Sequence, residues 1–198
     1  GGFMSTSVYE RPTRPQRRVV VTGLGVLSPI GNNVPQTWEA ALNGTSGIGP
    51  ITQFDASNEP VNIAGEIKNF DPADFIDRKE IKKMDRFIQT SIAATDEALK
   101  DCGIEFTEEL KARTGVIIGV GIGGLKSIEE NHKILMERGP SRVTPFFIPK
   151  VITNLASGQI SIMHGFKGPN YTVTSACASG NHSIGDAALL IRSGMADV

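Results

Sequence analysis

Short apolar runs alternate with stretches of helical periodicity along most of this 198-residue chain. The runs that predict strands are rich in β-branched and aromatic residues, and they lie at 19–22, 114–120 and 171–174. Apolar spacing, candidate caps and stops predict helices over 34–42, 85–101, 125–138, 151–164 and 183–191. Short connections between alternating strands and helices predict an α/β fold with a mostly parallel mixed sheet.

Two of these helices have a predicted inward face. The first begins after the candidate N-cap Asn33 and stops at Gly44. Its inward residues are predicted to be Trp38, Ala41 and Leu42. The second helix has a stripe at intervals of three and four residues, formed by Ile88, Ile92, Thr95, Leu99 and Cys102. Cys102 is therefore predicted to be a core residue.

Composition favours an ordinary globular protein, with 39% hydrophobic and 21% charged residues. A formal net charge of -1 gives no general attraction for nucleic acid. No apolar stretch reaches the ~18 residues of a membrane span. Cys102 and Cys177 do not have the spacing of metal ligands, so we expect no metal site. A chain with only two cysteines suits a reducing compartment, so we expect a cytoplasmic location.

The start of the chain differs from the rest. Gly1 to Phe3, before Met4, is typical of an expression scar, and the run to Gln16 is rich in proline, arginine, serine and threonine. We expect residues 1–16 to be a flexible leader and residues 17–198 to form one domain.

Cys177 is the strongest candidate for chemistry because it lies where a predicted strand gives way to a helix. Unpaired N–H groups at a helix start favour thiolate over thiol and so raise the reactive fraction. The small neighbours of Cys177 leave room for a substrate carbonyl. The alternative is a buried cysteine that acts as a small hydrophobic residue.

The glycine run from Gly119 to Gly124 matches G-x-G-x-x-G between a strand and a helix, which raises the possibility of a dinucleotide fold. A second parallel strand that ends in an acidic residue about 20 positions on is missing, since a proline-rich loop follows the helix. We therefore interpret the match as accidental. The glycines are expected to let the backbone pass close to packed elements or to a slender substrate. Ile122 is expected to project as an apolar wall or to be a core residue.

None of the three histidines is predicted to act as the base for Cys177. His182 lies roughly 140° around the same helix from the cysteine. His164 precedes Gly165 at a predicted helix end, where carbonyl capping is its simplest role. His132 lies in a charged stretch that is typical of a solvated face.

Three segments together resemble the β-ketoacyl-acyl-carrier-protein synthases, and the type II condensing enzymes fit best. These segments are 18–25 (RVVVTGLG), 121–124 (GIGG) and 175–180 (SACASG), in the order that the family has them. The resemblance runs from about Arg17 to Val198 and covers the N-terminal half of the family's enzyme. The two histidines and the lysine that complete the family's active site lie in the other half.

The resemblance implies a thiolase-like layered αβαβα architecture, of which this chain forms the N-terminal half. It implies an acyltransferase that extends a carrier-bound acyl chain by decarboxylative Claisen condensation with malonyl carrier protein, in fatty acid biosynthesis. Cys177 would be the nucleophile, and the chain by itself would be inactive in condensation. The expected acyl pocket comprises Ile122, Phe147, Gly121 and Ala176.

The resemblance also implies partners but no bound cofactor, since phosphopantetheine arrives on the acyl carrier protein. A basic run at three- and four-residue spacing extends from Arg78 to Arg86 and is predicted to place most of its charge on one helical face. The residues expected to receive the acidic carrier protein are Lys79, Lys82 and Lys83. A homodimer is also expected. The aromatic cluster at 146–148 needs a cover, and the subunit interface is the first candidate, ahead of an acyl chain or the chain's own core.

Two other functions stay open at this point. A non-catalytic scaffold half would bind the carrier protein or a catalytic partner without being acylated. An NAD-dependent oxidoreductase would use the glycine run for its cofactor.

Overall fold

The computed structural model describes residues 17–198, so the predicted leader at 1–16 lies outside the described residues. The helices are α1 Val34–Leu42, α2 Arg78–Ile81, α3 Arg86–Cys102, α4 Glu108–Ala112, α5 Leu125–Arg138, α6 Phe147–Val151, α7 Leu155–His164 and α8 Ser179–Arg192. The strands are β1 Ile48–Pro50, β2 Ile63–Gly65, β3 Val116–Gly119 and β4 Asn170–Val173. Single 3₁₀ turns lie at Pro72–Asp74, Pro140–Arg142 and Ala176–Ala178.

The parallel pair β3–β4 organises the part of the fold that carries the candidate chemistry. Val116 lies opposite Asn170 and Gly119 opposite Val173. Because side chains alternate along a strand, Val116 points into the core formed with α3 and α7. Ile117 lies on the other face, against α8. A second pair, β1–β2, is antiparallel, so the fold is mixed α/β with parallel strands at its centre.

The main core confirms the stripe predicted on α3. Its buried members come from α3, α7, β3 and the adjoining loops, and they are Ile76, Met84, Ile88, Ile92, Val116, Ile160 and Phe166. Cys102 was predicted to be a core residue, and this is wrong. It is half-buried at the end of α3, where its thiol donates to the carbonyl oxygen of Leu99 at 3.1 Å.

The strand predicted at 19–22 is also wrong, because this segment pairs with no strand within residues 17–198. Val20 is 66% exposed and Val21 is 77% exposed. The chain instead lies against α3, where the backbone N–H of Leu24 donates to Asp101 at 2.8 Å. The N–H of Val26 donates to Glu97 at 2.9 Å. An apolar run forms a strand only where a neighbouring strand completes the ladder.

α1 has the predicted bounds, but its predicted inward face is wrong. Asn33 caps the helix by accepting from the N–H of Gln36 at 2.8 Å. Trp38 is 65% exposed and Leu42 is 70% exposed, so neither is buried, and Trp38 lies at the edge of a cleft beside Leu24. Periodicity identifies an apolar face and leaves its packing partner undefined.

The helix predicted over 151–164 is divided in the structure. Ile152 has an extended backbone, with φ -72° and ψ 130°, and it separates the short helix α6 from α7. α6 begins within the segment predicted to be a loop. Among residues 17–198, no helix combines the length and hydropathy that a bilayer-spanning helix needs.

His164 does not cap carbonyl groups as predicted. Its Nε2 is buried without a hydrogen-bond partner, and its ring stacks on Phe166 with a centroid separation of 5.4 Å. Burial lowers the pKa of the imidazole below the ordinary value of 6.5, while the Asp96 carboxylate acts in the opposite direction. The unfolded chain therefore takes up this proton more readily than the folded chain. The free energy of unfolding should fall as pH drops through about 6.5.

Replacement of this imidazole by a phenyl ring should stabilise the fold. His164→Phe keeps the stacking and removes a buried nitrogen that has no partner, so we expect the free energy of unfolding to rise by about 1 kcal/mol at pH 7. The gain should be larger at pH 5, where the wild-type imidazole resists protonation. Urea unfolding at both pH values measures this, with His132→Phe, on the exposed face of α5, as the control. A gain that does not depend on pH would contradict the assignment.

Candidate active site

Cys177 lies in a strand–turn–helix connection, as predicted. β4 ends at Val173, a 3₁₀ turn spans Ala176–Ala178, and α8 begins at Ser179. The side chain of Cys177 is exposed, which is opposite to the buried alternative. Its position at the start of a 14-residue helix places it at the positive end of the helix dipole.

The turn that presents Cys177 has a strained backbone. Ala176 has φ 50°, in the left-handed region that costs a non-glycine residue about 1–2 kcal/mol. The hydroxyl of Ser179 holds this turn on both sides, since it accepts from the N–H of Ser175 at 2.8 Å and donates to the carbonyl of Ala176 at 2.7 Å. Ser179 is only 3% exposed, so these two bonds are shielded from water.

A close backbone approach sets the position of the first turn of α8. A Cβ added to Gly119, the last residue of β3, would lie 2.3 Å from both the carbonyl carbon and the oxygen of Ser179. Only glycine allows this separation without a shift of strand or helix. The same approach brings Gly121 beside the turn, where an added Cβ would lie 3.7 Å from the Ala176 oxygen, an ordinary contact.

Gly121 and Ala176, two of the expected acyl-pocket residues, are thus neighbours. Ile122 follows Gly121 and is 71% exposed, so among the described residues it forms an open rim rather than a closed wall. Phe147 is half-buried at the first position of α6. The end of α6 packs against the turn that carries Ile122, since a Cβ on Gly123 would lie 2.7 Å from the Val151 oxygen.

A cavity of about 390 Å³ lies away from Cys177. It is lined by residues of α3, α4, α7 and nearby loops, including Phe106, His164 and Phe166. The candidate site is therefore identified by its position on the strand–turn–helix connection and not by the volume of a cavity.

The glycine run serves packing, as interpreted from the sequence. Gly123 has φ 91° and lies close to α6. The N-terminus of α5, where a dinucleotide would place its pyrophosphate, is occupied by the carboxylate of Asp85. Ser127 donates to this carboxylate from its backbone N–H at 3.2 Å and from its hydroxyl at 2.5 Å. The chain thus supplies its own anion at the place where the oxidoreductase alternative needs a phosphate.

Sequence reasoning assigned no role to His182. In the structure, Nδ1 of His182 lies 2.7 Å from the hydroxyl oxygen of Ser175, in the turn before the cysteine. A helical projection of α8 alone misses this contact, because the preceding turn folds back over the first turns of the helix. No group of three or more metal-ligating side chains is found within residues 17–198.

The basic run does not form one helical face, so that prediction is wrong. α2 ends at Ile81, and the chain turns before α3 begins at Arg86. Lys79 and Lys82 are exposed. Lys83 is half-buried, with Nζ 2.6 Å from the Glu80 carboxylate and 5.6 Å from the centroid of the Phe146 ring. The guanidinium of Arg86 donates to a backbone carbonyl at 3.1 Å.

Comparison with known proteins agrees with this geometry. Residues 16–198 match the family model described as "Beta-ketoacyl synthase, N-terminal domain". The chain is 51% identical over 182 residues to 3-oxoacyl-[acyl-carrier-protein] synthase 2 of Vibrio harveyi, which covers 92% of this chain and 44% of that protein. The chain therefore spans less than half the length of this relative.

Two solved structures have the same fold. The ishigamide ketosynthase/chain length factor superposes with a TM-score of 0.83 at 33% identity, over 91% of this chain and 45% of that chain. A complex of a type II PKS acyl-carrier protein with its ketosynthase bound to the hexaketide gives a TM-score of 0.78 at 27% identity, over 91% and 49%. The fold is thus the N-terminal half of the thiolase-like ketosynthase fold. The chain belongs to the β-ketoacyl synthase family, of which it carries the N-terminal domain.

Proposed function

We propose that this chain is the nucleophile-bearing half of a β-ketoacyl-acyl-carrier-protein synthase that acts in fatty acid biosynthesis. The observation that carries the proposal is the exposed Cys177, held on a strained turn at the start of α8. The 51% identity to a 3-oxoacyl-acyl-carrier-protein synthase supports the same reaction class. The enzyme would extend a carrier-bound acyl chain by decarboxylative Claisen condensation with malonyl carrier protein.

In the first half-reaction, the thiolate of Cys177 attacks the carbonyl carbon of the acyl thioester. The tetrahedral oxyanion is stabilised by backbone N–H donors at the helix start, for which we propose the N–H of Cys177. The bond between the carbonyl carbon and the phosphopantetheine sulfur then breaks. The released thiolate takes up a proton, and the acyl group remains on Cys177.

In the second half-reaction, malonyl carrier protein loses carbon dioxide and becomes an enolate-like carbanion. The carbanion attacks the carbonyl of acyl-Cys177, a carbon–carbon bond forms, and the carbon–sulfur bond breaks to regenerate the thiolate. The resemblance implies that the two histidines and the lysine of the family's other half would stabilise the carbanion. We therefore expect the 198-residue chain by itself to accept an acyl group without completing condensation.

Acyl transfer to Cys177 tests this function directly. Incubation with acyl carrier protein loaded with a saturated acyl chain should give a mass adduct equal to the acyl group, because an activated thiolate exchanges thioesters. Cys177→Ala should abolish the adduct, and intact-mass measurement shows this.

Cys102→Ala is the matched control, since it removes the half-buried thiol and should leave the adduct unchanged. An adduct that persists in Cys177→Ala would refute the nucleophile assignment. A wild-type chain that binds the carrier protein without any adduct would indicate the scaffold function instead.

We propose that Lys79 and Lys82 contribute most to carrier docking. Lys79 lies in α2 and Lys82 directly follows it, and both are exposed, whereas the ammonium group of Lys83 pairs with the Glu80 carboxylate. A carrier protein with an acidic surface would be attracted to the two exposed ammonium groups, and salt would weaken this attraction. Lys83 would contribute packing over the aromatic loop before α6 more than charge.

Charge reversal separates these roles. The double variant Lys79→Glu/Lys82→Glu should weaken carrier binding by about tenfold at low salt and by much less at high salt. Lys100→Glu is the control, because Lys100 lies near the other end of α3 and forms only a surface pair with Asp96. Titration by surface plasmon resonance at two salt concentrations measures both. Equal effects of the double variant and the control would place docking elsewhere.

The proposal includes a cytoplasmic homodimer. Phe146 and Ile148 are 40% and 59% exposed, and neighbouring Ile152 is 42% exposed. Exposed apolar side chains this close together in the chain are more favourable when another surface covers them. A second subunit would cover them and would also lie beside the turn that carries Ile122.

A further inference from the structure

We propose that His182 is a positioning residue for Cys177, because its hydrogen bond to Ser175 fixes the turn that presents the thiol. The mechanistic meaning of this inference rests on the function proposed above, in which Cys177 is the nucleophile. Its physical content is a specific contact. Nδ1 of His182 and the hydroxyl oxygen of Ser175 are 2.7 Å apart and seven residues apart in the chain.

All polar groups of Ser175 are bonded to the turn or to α8. Its N–H donates to the hydroxyl of Ser179 at 2.8 Å, and its carbonyl accepts from the N–H of Ala178 at 3.1 Å. Its hydroxyl meets His182. The first two bonds fix the backbone of Ser175, and the third bond ties its side chain to the second turn of α8. Ser175 is thus anchored on each side of its own Cα.

Ala176 makes this anchoring necessary. Its positive φ is unfavourable for a residue with a Cβ, so the turn would relax to negative φ if its anchors were weakened. Ser179 directly follows the turn and bonds to it on both sides, whereas His182 binds it from the fourth residue of α8. Loss of one hydrogen bond of this kind changes a two-state population by about three- to tenfold. Molecules with a relaxed turn would no longer hold Cys177 at the start of α8.

His182 acts on Cys177 through Ser175 and not as a base. Its ring is hydrogen-bonded to the serine hydroxyl. The ring is exposed on α8, so its substitution leaves the buried packing between α8 and β3 unchanged. That packing includes Gly119 against the backbone of Ser179 and Ile117 beside Leu190 and Ile191. Removal of His182 should therefore affect the turn more than the overall fold.

The test is the rate at which iodoacetamide alkylates Cys177 in the 198-residue protein. The thiolate sulfur displaces iodide and forms a thioether, so the rate reports thiolate that is correctly presented. Peptide mass spectrometry measures Cys177 and Cys102 in the same sample. Cys102 is half-buried at the end of α3 and reports any general loosening of the fold.

Four variants form the experiment. His182→Phe and Ser175→Ala should each slow Cys177 alkylation by about three- to tenfold and leave Cys102 unchanged. The double variant should be no slower than either single variant, since both remove the same bond. His182→Asn should restore most of the rate, because its amide places a polar atom at the same number of bonds from Cβ as Nδ1.

Several outcomes would overturn the inference: an unchanged rate, additive effects in the double variant, no rescue by asparagine, or a parallel change at Cys102. The two proposals fail separately. If the wild-type protein takes no acyl group, but the His182 and Ser175 variants slow Cys177 alkylation without adding to each other, the proposed function is refuted and the role of His182 is retained. If Cys177 is acylated, but the two variants act additively or not at all, only the role of His182 is refuted.

Discussion

The approach of β3 to α8 at Gly119 is the contact on which the candidate site depends. Strand and helix meet there backbone to backbone, at a separation that excludes any side chain at position 119. This contact brings the positive end of α8 to the carboxyl end of the parallel strand pair. Cys177 lies between the end of β4 and the start of α8, so this contact places it at the surface next to the N-terminus of the helix.

The small residues around Cys177 have different physical tasks. Gly119 allows the close approach, whereas an added Cβ at Gly180 would meet no atom within 4 Å. Ser179 supplies a buried hydroxyl that both accepts and donates. Ala176 carries backbone strain that these bonds offset. The small residues of this segment thus allow close backbone packing at Gly119, hydrogen bonds that fix the turn at Ser179, and unfilled space at Gly180.

The features that sequence predicted well are local. Asn33 caps α1 through a bond to a residue three positions on, and the apolar stripe of α3 buries Ile88 and Ile92 as its period requires. The strand–turn–helix around Cys177 follows from β-branched residues before it and helical periodicity after it. The resemblance to the β-ketoacyl synthases, carried by three short segments, predicted the family that the comparisons show.

The features that sequence missed depend on neighbours far along the chain. The glycine run matches a phosphate-binding pattern, yet Asp85, some 40 residues earlier, fills the helix start that a phosphate would need. Val20 and Trp38 are apolar, yet in the structure they are 66% and 65% exposed. The contact of His182 with Ser175 requires the turn to fold back on its helix, and this geometry follows from the clamp at Ser179 rather than from residue spacing.

The central claim is that the close contact at Gly119 holds the helix start that carries Cys177, and two alanine substitutions test it most directly. Gly119→Ala should lower the free energy of unfolding by about 2–3 kcal/mol, because the new methyl group meets the rigid backbone of Ser179. Gly121→Ala, two residues on, should lower it by less than about 0.5 kcal/mol, since its methyl group makes only ordinary contact. Urea unfolding of both variants measures the difference. Equal losses for the two, or no loss for Gly119→Ala, would contradict the account.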